Sequence, residues 1–194
     1  MSGCLIAGGW AVSLAIGELR ALMDVMFFGA VAVTKAALPH LRAQGSGTIV
    51  QLSSMGGQLS MPGFGAYCAA KFALEGLSEA LAAEVAPFGV RVLIVEPGAF
   101  RTEFGGQRMH RSPVMQEYAV STGSTRAAVD SMDGGQPGDP RKAARAILEV
   151  LDRPDPPLRL ALGSDAVDNI AAHHELLRRD LMRWEKLSRA VDLD

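Results

Sequence analysis

The pattern of apolar and polar positions is clearest between Thr48 and Gly98. A short run of apolar and β-branched residues, Thr48 to Ser53, follows a Gly-Ser-Gly turn and predicts a buried strand. A glycine-rich loop leads to residues 66–85, where apolar residues return every three or four positions and predict a helix. A second apolar strand, Val90 to Glu96, ends at a Pro-Gly turn. Strand, helix and strand in this order predict a right-handed crossover between parallel strands.

Upstream of this unit, the pattern predicts a long amphipathic helix. Apolar residues keep a helical period from residue 18 to residue 42, and Pro39 lies near the end, where a stop is tolerated. Before it, Cys4 to Ala7 reads as a short strand running into a turn at Gly8 and Gly9.

Downstream, residues 104–138 form a long stretch rich in glycine and serine, with a short helix predicted only around Val114 to Val120. Asp139 and Pro140 have the residue types of a helix N-cap and first position, and predict a helix over residues 141–151. Residues 158–163 then predict an edge strand. A final helix to about residue 190 follows, with Ser164 or Asp165 as its cap and its apolar residues on one side.

Composition indicates one soluble globular domain. The chain has 194 residues, of which 48 % are hydrophobic, and a net charge of -2, so a basic nucleic-acid surface is not expected. Its two cysteines, Cys4 and Cys68, form no paired motif, which favours a reducing, cytoplasmic environment. The apolar segment from Cys4 to Ile16 has no basic n-region and is too short to span a bilayer, so neither a signal peptide nor a membrane partner is expected.

Tyr67 and Lys71 are one helical turn apart on the same predicted face. A free phenol titrates near pH 10, and an ammonium held close to it favours the phenolate. Ser54, after the preceding strand, places a hydroxyl where it could hydrogen-bond the same substrate oxygen. These three side chains predict a site that moves a proton on and off an alcohol.

Ser54, Tyr67-x-x-x-Lys71 and Pro97-Gly98-x-x-x-Thr102, at these spacings, resemble the short-chain dehydrogenase/reductase family. The resemblance implies an α/β, Rossmann-like, doubly wound parallel sheet. It also implies that Tyr67 is the general acid/base, that Lys71 tunes Tyr67 and holds the nicotinamide ribose, and that Ser54 orients the substrate oxygen. Pro97, Gly98 and Thr102 would lie along the nicotinamide of NAD or NADP.

The same resemblance exposes two departures from the family pattern. The glycine-rich turn that receives the cofactor pyrophosphate, with the first three strands, has no counterpart here, so we expect a partial domain over residues 1–194 that retains strands 4 to 7 of the fold. NAD cannot then be told from NADP. Met26 stands where relatives carry an asparagine of the proton relay; a methionine at helical spacing more often simply fills the core.

Two functions from different classes follow. The first is NAD(P)-dependent interconversion of a secondary alcohol and a ketone, on a hydrophobic substrate because Met61, Phe64, Phe100 and Phe104 flank the motifs. The second is a catalytically impaired, truncated family member that acts as an interaction protein. Under either, the resemblance implies a homodimer or homotetramer that forms through helices 18–42 and 66–85.

The remaining residues are weaker candidates for a functional role. The resemblance makes residues 103–138 a substrate lid, in which His110 and Arg111 could touch substrate, although such residues are more often solvated loop side chains. His173 and His174 are adjacent on a helix and point apart, so no metal site is expected.

Overall fold

The computed structural model describes residues 15–105, 116–132 and 134–193. Within them, three strands form one parallel sheet in the order β1, β2, β3: β1 is Gly47–Leu52, β2 is Val90–Pro97 and β3 is Arg159–Leu162. β1 pairs with β2 from Gly47 opposite Val90 to Leu52 opposite Val95. The predicted parallel sheet is therefore confirmed, and its carboxyl ends meet at one edge. The predicted strand at residues 4–7 and the Gly8-Gly9 turn lie outside the described residues.

Six α-helices accompany these strands in the part of the chain that the structure describes: α1 Ile16–Met23, α2 Gly29–Gln44, α3 Gly65–Val85, α4 Ala119–Met132, α5 Pro140–Leu151 and α6 Ser164–Arg189. α2 packs on β1, α3 on β2, and α6 on β3. Helices that flank a parallel sheet define a Rossmann-like α/β fold.

The core lies where α3 covers the sheet. Leu81 and Val85 of α3 pack with buried apolar residues of β2, such as Ile94. A second cluster joins Leu22 of α1 to Ala66 and Ala70 in the first turns of α3. Because Ala66 and Ala70 flank Tyr67, this packing fixes the part of α3 that carries the predicted site.

The first long helix differs from its prediction in two respects. Asp24–Phe28 form a π-helical segment between α1 and α2, which an apolar period cannot reveal. Pro39 lies inside α2, which continues to Gln44 and ends at Gly45 with φ of 70°. A left-handed glycine after the last residue, and not the proline, therefore terminates this helix.

Residues 119–132 were predicted to lack strong structure beyond Val120, and this prediction was wrong. They form α4, a helix of 14 residues after a 3-10 turn at Gln116–Tyr118. The Ser121 and Thr122 hydroxyls donate to the carbonyl of Tyr118, both at 3.0 Å, so the helix itself satisfies these polar groups. Burial of Thr122 then adds tertiary packing that overrides a low helix propensity.

The two C-terminal helices begin differently. Asp139 caps α5 as predicted, accepting from Arg141 N at 2.8 Å. The predicted cap of α6 was wrong, because Gly163 occupies the cap position and no side chain caps the helix. The apolar side of α6 is buried only near its start, at Ala166 and Ile170, whereas Leu177, Leu181, Trp184 and Leu187 are exposed.

The stretch Ile16–Gln44 is long and apolar enough to cross a membrane, judged by length and composition alone. The core helix of a soluble protein and a signal sequence pass the same test, so this observation alone assigns no membrane role.

Candidate active site

All six predicted site residues line one cavity of about 690 Å³. Ser54 follows the carboxyl end of β1, Tyr67 and Lys71 lie in the first two turns of α3, and Pro97, Gly98 and Thr102 belong to the end of β2 and the segment after it. Residues of α4 and α5 also line this cavity. The fold thus brings together three segments that are separate in the sequence, while the catalytic and cofactor roles of the six residues stay a prediction.

Tyr67 and Lys71 are held close to each other at the cavity wall. The Lys71 ammonium donates a 2.8 Å hydrogen bond to the carbonyl oxygen of Leu52, at the end of β1, and lies 5.8 Å from the centre of the Tyr67 ring. Tyr67 is only 8 % exposed, and Phe64 and Phe104 contact its ring edge-on, with centroids at 6.2 and 5.4 Å. Both side chains are therefore oriented before any ligand arrives.

The Ser54 hydroxyl lies between two of the site's segments. Its oxygen accepts from Gly56 N at 3.0 Å, which caps the 3-10 turn Met55–Gly57, and it donates to the carbonyl of Pro97 at 3.5 Å. The neighbouring Ser53 also lines the cavity, but it is 3 % exposed and its hydroxyl oxygen has no hydrogen-bond partner. Through these partners, Ser54 joins the 3-10 turn Met55–Gly57, here called the serine turn, to the Pro97-Gly98 turn.

Asp165 lines the same cavity and was assigned by the sequence only to a helix cap. Its carboxylate accepts a 2.6 Å hydrogen bond from the backbone N–H of Ala99. A β-carbon at Gly98 would collide with this carboxylate, so the close approach needs glycine there. An acidic residue in the first turn of a helix is common for electrostatic reasons, and it gave no signal of this distant contact.

The segment 103–138 begins and ends at the same place. Arg101 N donates to the carbonyl of Gly138 at 2.9 Å, and Gly138 N donates to the carbonyl of Ala99 at 3.0 Å. Thr102 is exposed and accepts from Phe104 N at 3.3 Å. A segment joined at its two ends to the cavity rim has the connectivity of a lid, which remains a prediction. His110 and Arg111 lie outside the described residues.

The cavity wall is mostly apolar. Among the described residues that line it, only Lys71 and Asp165 carry charge, and the apolar ones include Met61, Phe64, Phe100, Phe104, Val129, Met132 and Ile147. Cys68 also lines it; burial raises the pKa of this thiol, which disfavours the reactive thiolate. Within the described residues, no group of three or more His, Cys, Asp or Glu could hold a metal ion. Such a cavity suits a neutral, largely apolar ligand.

Met26 lies on the π-helical segment, lines the cavity and packs against the cluster of Leu22, Ala66 and Ala70. It therefore fills space beside the site as well as in the core. A thioether is only a weak hydrogen-bond acceptor and has no donor, so it cannot hold a water molecule as an amide would.

Comparison with known proteins identifies the family. The family model for the short chain dehydrogenases matches residues 7–112, which is more than half of the chain. The chain therefore belongs to the short-chain dehydrogenase/reductase family.

Individual relatives agree with this assignment. The crystal structure of a short-chain dehydrogenase from Streptomyces avermitilis is 50 % identical and matches 100 % of this chain and 70 % of its own, with a TM-score of 0.91. A short chain dehydrogenase from Burkholderia cenocepacia, solved in complex with NADP, is 25 % identical over 93 % of this chain and 66 % of its own, with a TM-score of 0.62. A 3-ketodihydrosphingosine reductase from Bacteroides thetaiotaomicron is 38 % identical over 80 % of this chain and 58 % of its own. The chain spans 58 to 64 % of the lengths of the first curated relatives it matches.

Proposed function

We propose that this chain supplies the nicotinamide and substrate sites of an NAD(P)-dependent oxidoreductase that interconverts a secondary alcohol and a ketone on a hydrophobic substrate. The observation that carries the proposal is the convergence of Ser54, Tyr67 and Lys71 with the Pro97-Gly98 turn on one apolar cavity. Family membership and the NADP complex of a relative support the cofactor class.

The residues of the cavity fit a nicotinamide. Pro97, Gly98 and Thr102, which the family resemblance places along the nicotinamide, all line the cavity. Its volume of about 690 Å³ is within the range of about 300–1,000 Å³ typical of small-molecule sites. When bound, a nicotinamide would supply the hydride chemistry.

The protein's own groups would handle the substrate oxygen and its proton. The Tyr67 hydroxyl gives a proton to the oxygen when a ketone is reduced and takes one when an alcohol is oxidised. The Ser54 hydroxyl hydrogen-bonds the same oxygen, and the Lys71 ammonium, fixed by Leu52, favours the phenolate of Tyr67 by its charge. The apolar walls exclude water from these groups.

The substrate class is argued from the wall and from one relative. Apolar side chains from the loop after β1, from the segment after β2, and from α4 and α5 surround the cavity, and methionines among them can adapt to an irregular ligand. The Bacteroides relative is named a 3-ketodihydrosphingosine reductase, so its name gives a ketone as its substrate. We therefore place the substrate among apolar ketones or the corresponding alcohols.

Cofactor binding to the purified chain tests this function. NADH and NADPH are titrated while nicotinamide fluorescence is followed, with Lys71→Ala as the variant and Lys35→Ala, which changes a lysine outside the cavity, as the matched control. We expect saturable binding that Lys71→Ala weakens and Lys35→Ala does not, and reduction of an apolar ketone in a following screen. No binding up to millimolar cofactor would contradict the function and favour the non-enzymatic alternative, for which Met26 is the structural argument.

The same proposal includes self-association through helices 18–42 and 66–85. Val25, Phe28, Val33 and Phe72 are large apolar residues of these helices, and all four are exposed. Pairing with a second copy would remove this apolar surface from water. Light scattering after gel filtration should give a dimer or tetramer that Val33→Glu dissociates and Val120→Glu, at an exposed site of α4, does not. A monomer that binds vesicles would instead assign the helix surface to a membrane.

A further inference from the structure

A cluster of charged and polar side chains joins the three segments that carry the predicted site residues. Gln58 ends the 3-10 turn that Ser54 caps. Glu75 lies one helical turn beyond Lys71 on α3, and Glu96 directly precedes Pro97 on β2. Glu79 of α3, Arg159 of β3 and His174 of α6 complete the cluster, here called the carboxylate network. None of its members lines the cavity.

Gln58 connects the network through both ends of its amide group. Its nitrogen donates to Glu96 Oε1 at 2.9 Å and to Glu75 Oε2 at 3.2 Å. Its oxygen lies 3.0 Å from His174 Nε2, and because an amide oxygen only accepts, that ring nitrogen carries the proton. One side chain therefore ties the serine turn to α3, β2 and α6 at once.

The network contains more negative than positive charge. The Arg159 guanidinium lies 3.1 Å from Glu75, 2.6 Å from Glu79 and 3.5 Å from Glu96, so three carboxylates face one arginine. Glu75 and Glu96 are only 4 % and 2 % exposed, and a buried carboxylate without full compensation is strongly disfavoured. Burial, and then the charge of Glu75, raise the pKa of Glu96 to about 7.

We propose that Gln58, Glu75 and Glu96 are positioning residues of the active site, and that a proton held by the two carboxylates keeps the serine turn, the Lys71 turn of α3 and the Pro97-Gly98 turn in their relative places. This inference rests on the proposed function. Loss of the proton leaves two buried carboxylates, Glu75 and Glu96, that both carry a negative charge and both accept from the Gln58 amide. Their repulsion separates α3 from β2. The site geometry then depends on pH although no titrating group of the network touches the ligand.

The direction of the pH dependence follows from the groups that face Glu96. Glu75 faces it from α3, Arg159 from β3, and Gln58 from the serine turn. Glu79 of α3 pairs with Arg159, and His174 of α6 lies behind Gln58. Because the pKa of Glu96 is higher in the folded chain than its ordinary value of 4.5, the folded state binds more protons between about pH 4.5 and 7. Stability therefore falls as the pH rises through this window.

The first experiment measures thermal unfolding of the chain from pH 5 to pH 8.5. Glu96→Gln mimics the protonated acid, and Glu79→Gln, at a side chain that is 62 % exposed, is the control within the same network. We expect the wild-type melting temperature to fall by about 5 °C or more relative to Glu96→Gln over this range. The Glu79→Gln variant should keep the wild-type slope. If the melting temperature of Glu96→Gln falls with pH as steeply as that of the wild type, the proposal of a shared proton is wrong. The series is repeated in a His174→Gln background, because the His174 ring contacts Gln58.

The second experiment measures NADH affinity over the same pH range, because a merely structural role would not alter its pH profile. We expect the wild type to lose affinity several-fold above pH 7, Glu96→Gln to show a flat profile, and Gln58→Met, which keeps the length but not the amide, to bind weakly at every pH. Profiles that coincide for wild type and Glu96→Gln would overturn the positioning role. Absence of binding by all variants at all pH values would overturn the proposed function and the positioning role together. The pH dependence of the melting temperature would still show whether Glu75 and Glu96 hold the proton.

Discussion

The carboxylate of Asp165 accepts a hydrogen bond from the backbone N–H of Ala99, with 2.6 Å between oxygen and nitrogen. The two residues belong to different elements, the first turn of α6 and the segment after β2. Asp165 also fills the space next to Gly98, where no side chain could fit. The start of the last helix therefore fixes the turn along which we expect the nicotinamide to lie.

Replacement of Asp165 by alanine should weaken both the fold and cofactor binding. A hydrogen bond to a charged group contributes about 1.5–3 kcal/mol, and its loss also leaves the Ala99 N–H without its partner. We expect a loss of unfolding free energy of about 2 kcal/mol in urea and a clearly higher dissociation constant for NADH. Asp168→Ala, at an exposed aspartate one turn further along α6, is the control and should change neither quantity. Equal effects of the two substitutions would assign Asp165 to helix electrostatics alone.

Replacement of Tyr67 by phenylalanine should abolish proton transfer and preserve the structure. The ring keeps its edge-on contacts with Phe64 and Phe104, and only the hydroxyl is lost. General acid–base catalysis contributes about 10²- to 10⁴-fold, so ketone reduction should slow by that factor while NADH binding stays within about twofold. Tyr118→Phe changes the other tyrosine of the chain, which does not line the cavity, and should leave turnover unchanged. Full activity of Tyr67→Phe would remove Tyr67 from the reaction.

Two glycine substitutions should have opposite effects on stability. A β-carbon at Gly57 would lie 2.5 Å from the Ser53 hydroxyl and 2.9 Å from Glu75 Oε1, so Gly57→Ala must displace the serine turn. A β-carbon at Gly76, inside α3, would meet nothing within 4 Å. Gly76→Ala should therefore raise the unfolding free energy by about 0.5–1 kcal/mol, because alanine is the better helix former. Gly57→Ala should lower it by about 1–3 kcal/mol. Urea unfolding measures both, and a neutral Gly57→Ala would show that the turn adjusts freely.

Local sequence patterns predicted the elements that local patterns control. The apolar runs that became β1 and β2 were predicted to within a residue at most ends, because a strand buried in a parallel sheet is apolar almost throughout. The Asp139-Pro140 start of α5 was confirmed for the same reason, since a cap involves only neighbouring residues.

Features that depend on distant residues could not be predicted in this way. The bond from Asp165 to Ala99 joins positions 66 residues apart, and the bond between Gln58 and His174 joins positions 116 apart. The sequence around these residues does not indicate which distant residue each of them contacts. The sequence also did not predict the π-helical segment at Asp24–Phe28 or most of the helix α4. Backbone packing and tertiary burial, and not an apolar period, determine these two elements.

Replacement of Met26 by asparagine should decide whether this residue limits the reaction. Met26 packs partly against the cluster of Leu22, Ala66 and Ala70, so loss of its thioether should lower the unfolding free energy by about 1–2 kcal/mol. An amide can donate and accept hydrogen bonds beside the cavity. If the proton relay needs such a group, ketone reduction should be about tenfold or more faster in Met26→Asn. Met23→Asn is the matched control, because Met23 packs against the same cluster and does not line the cavity. It should show the stability loss without the gain in turnover. If turnover falls equally in both variants, Met26 is a packing residue, and the reaction proceeds without an amide at this position.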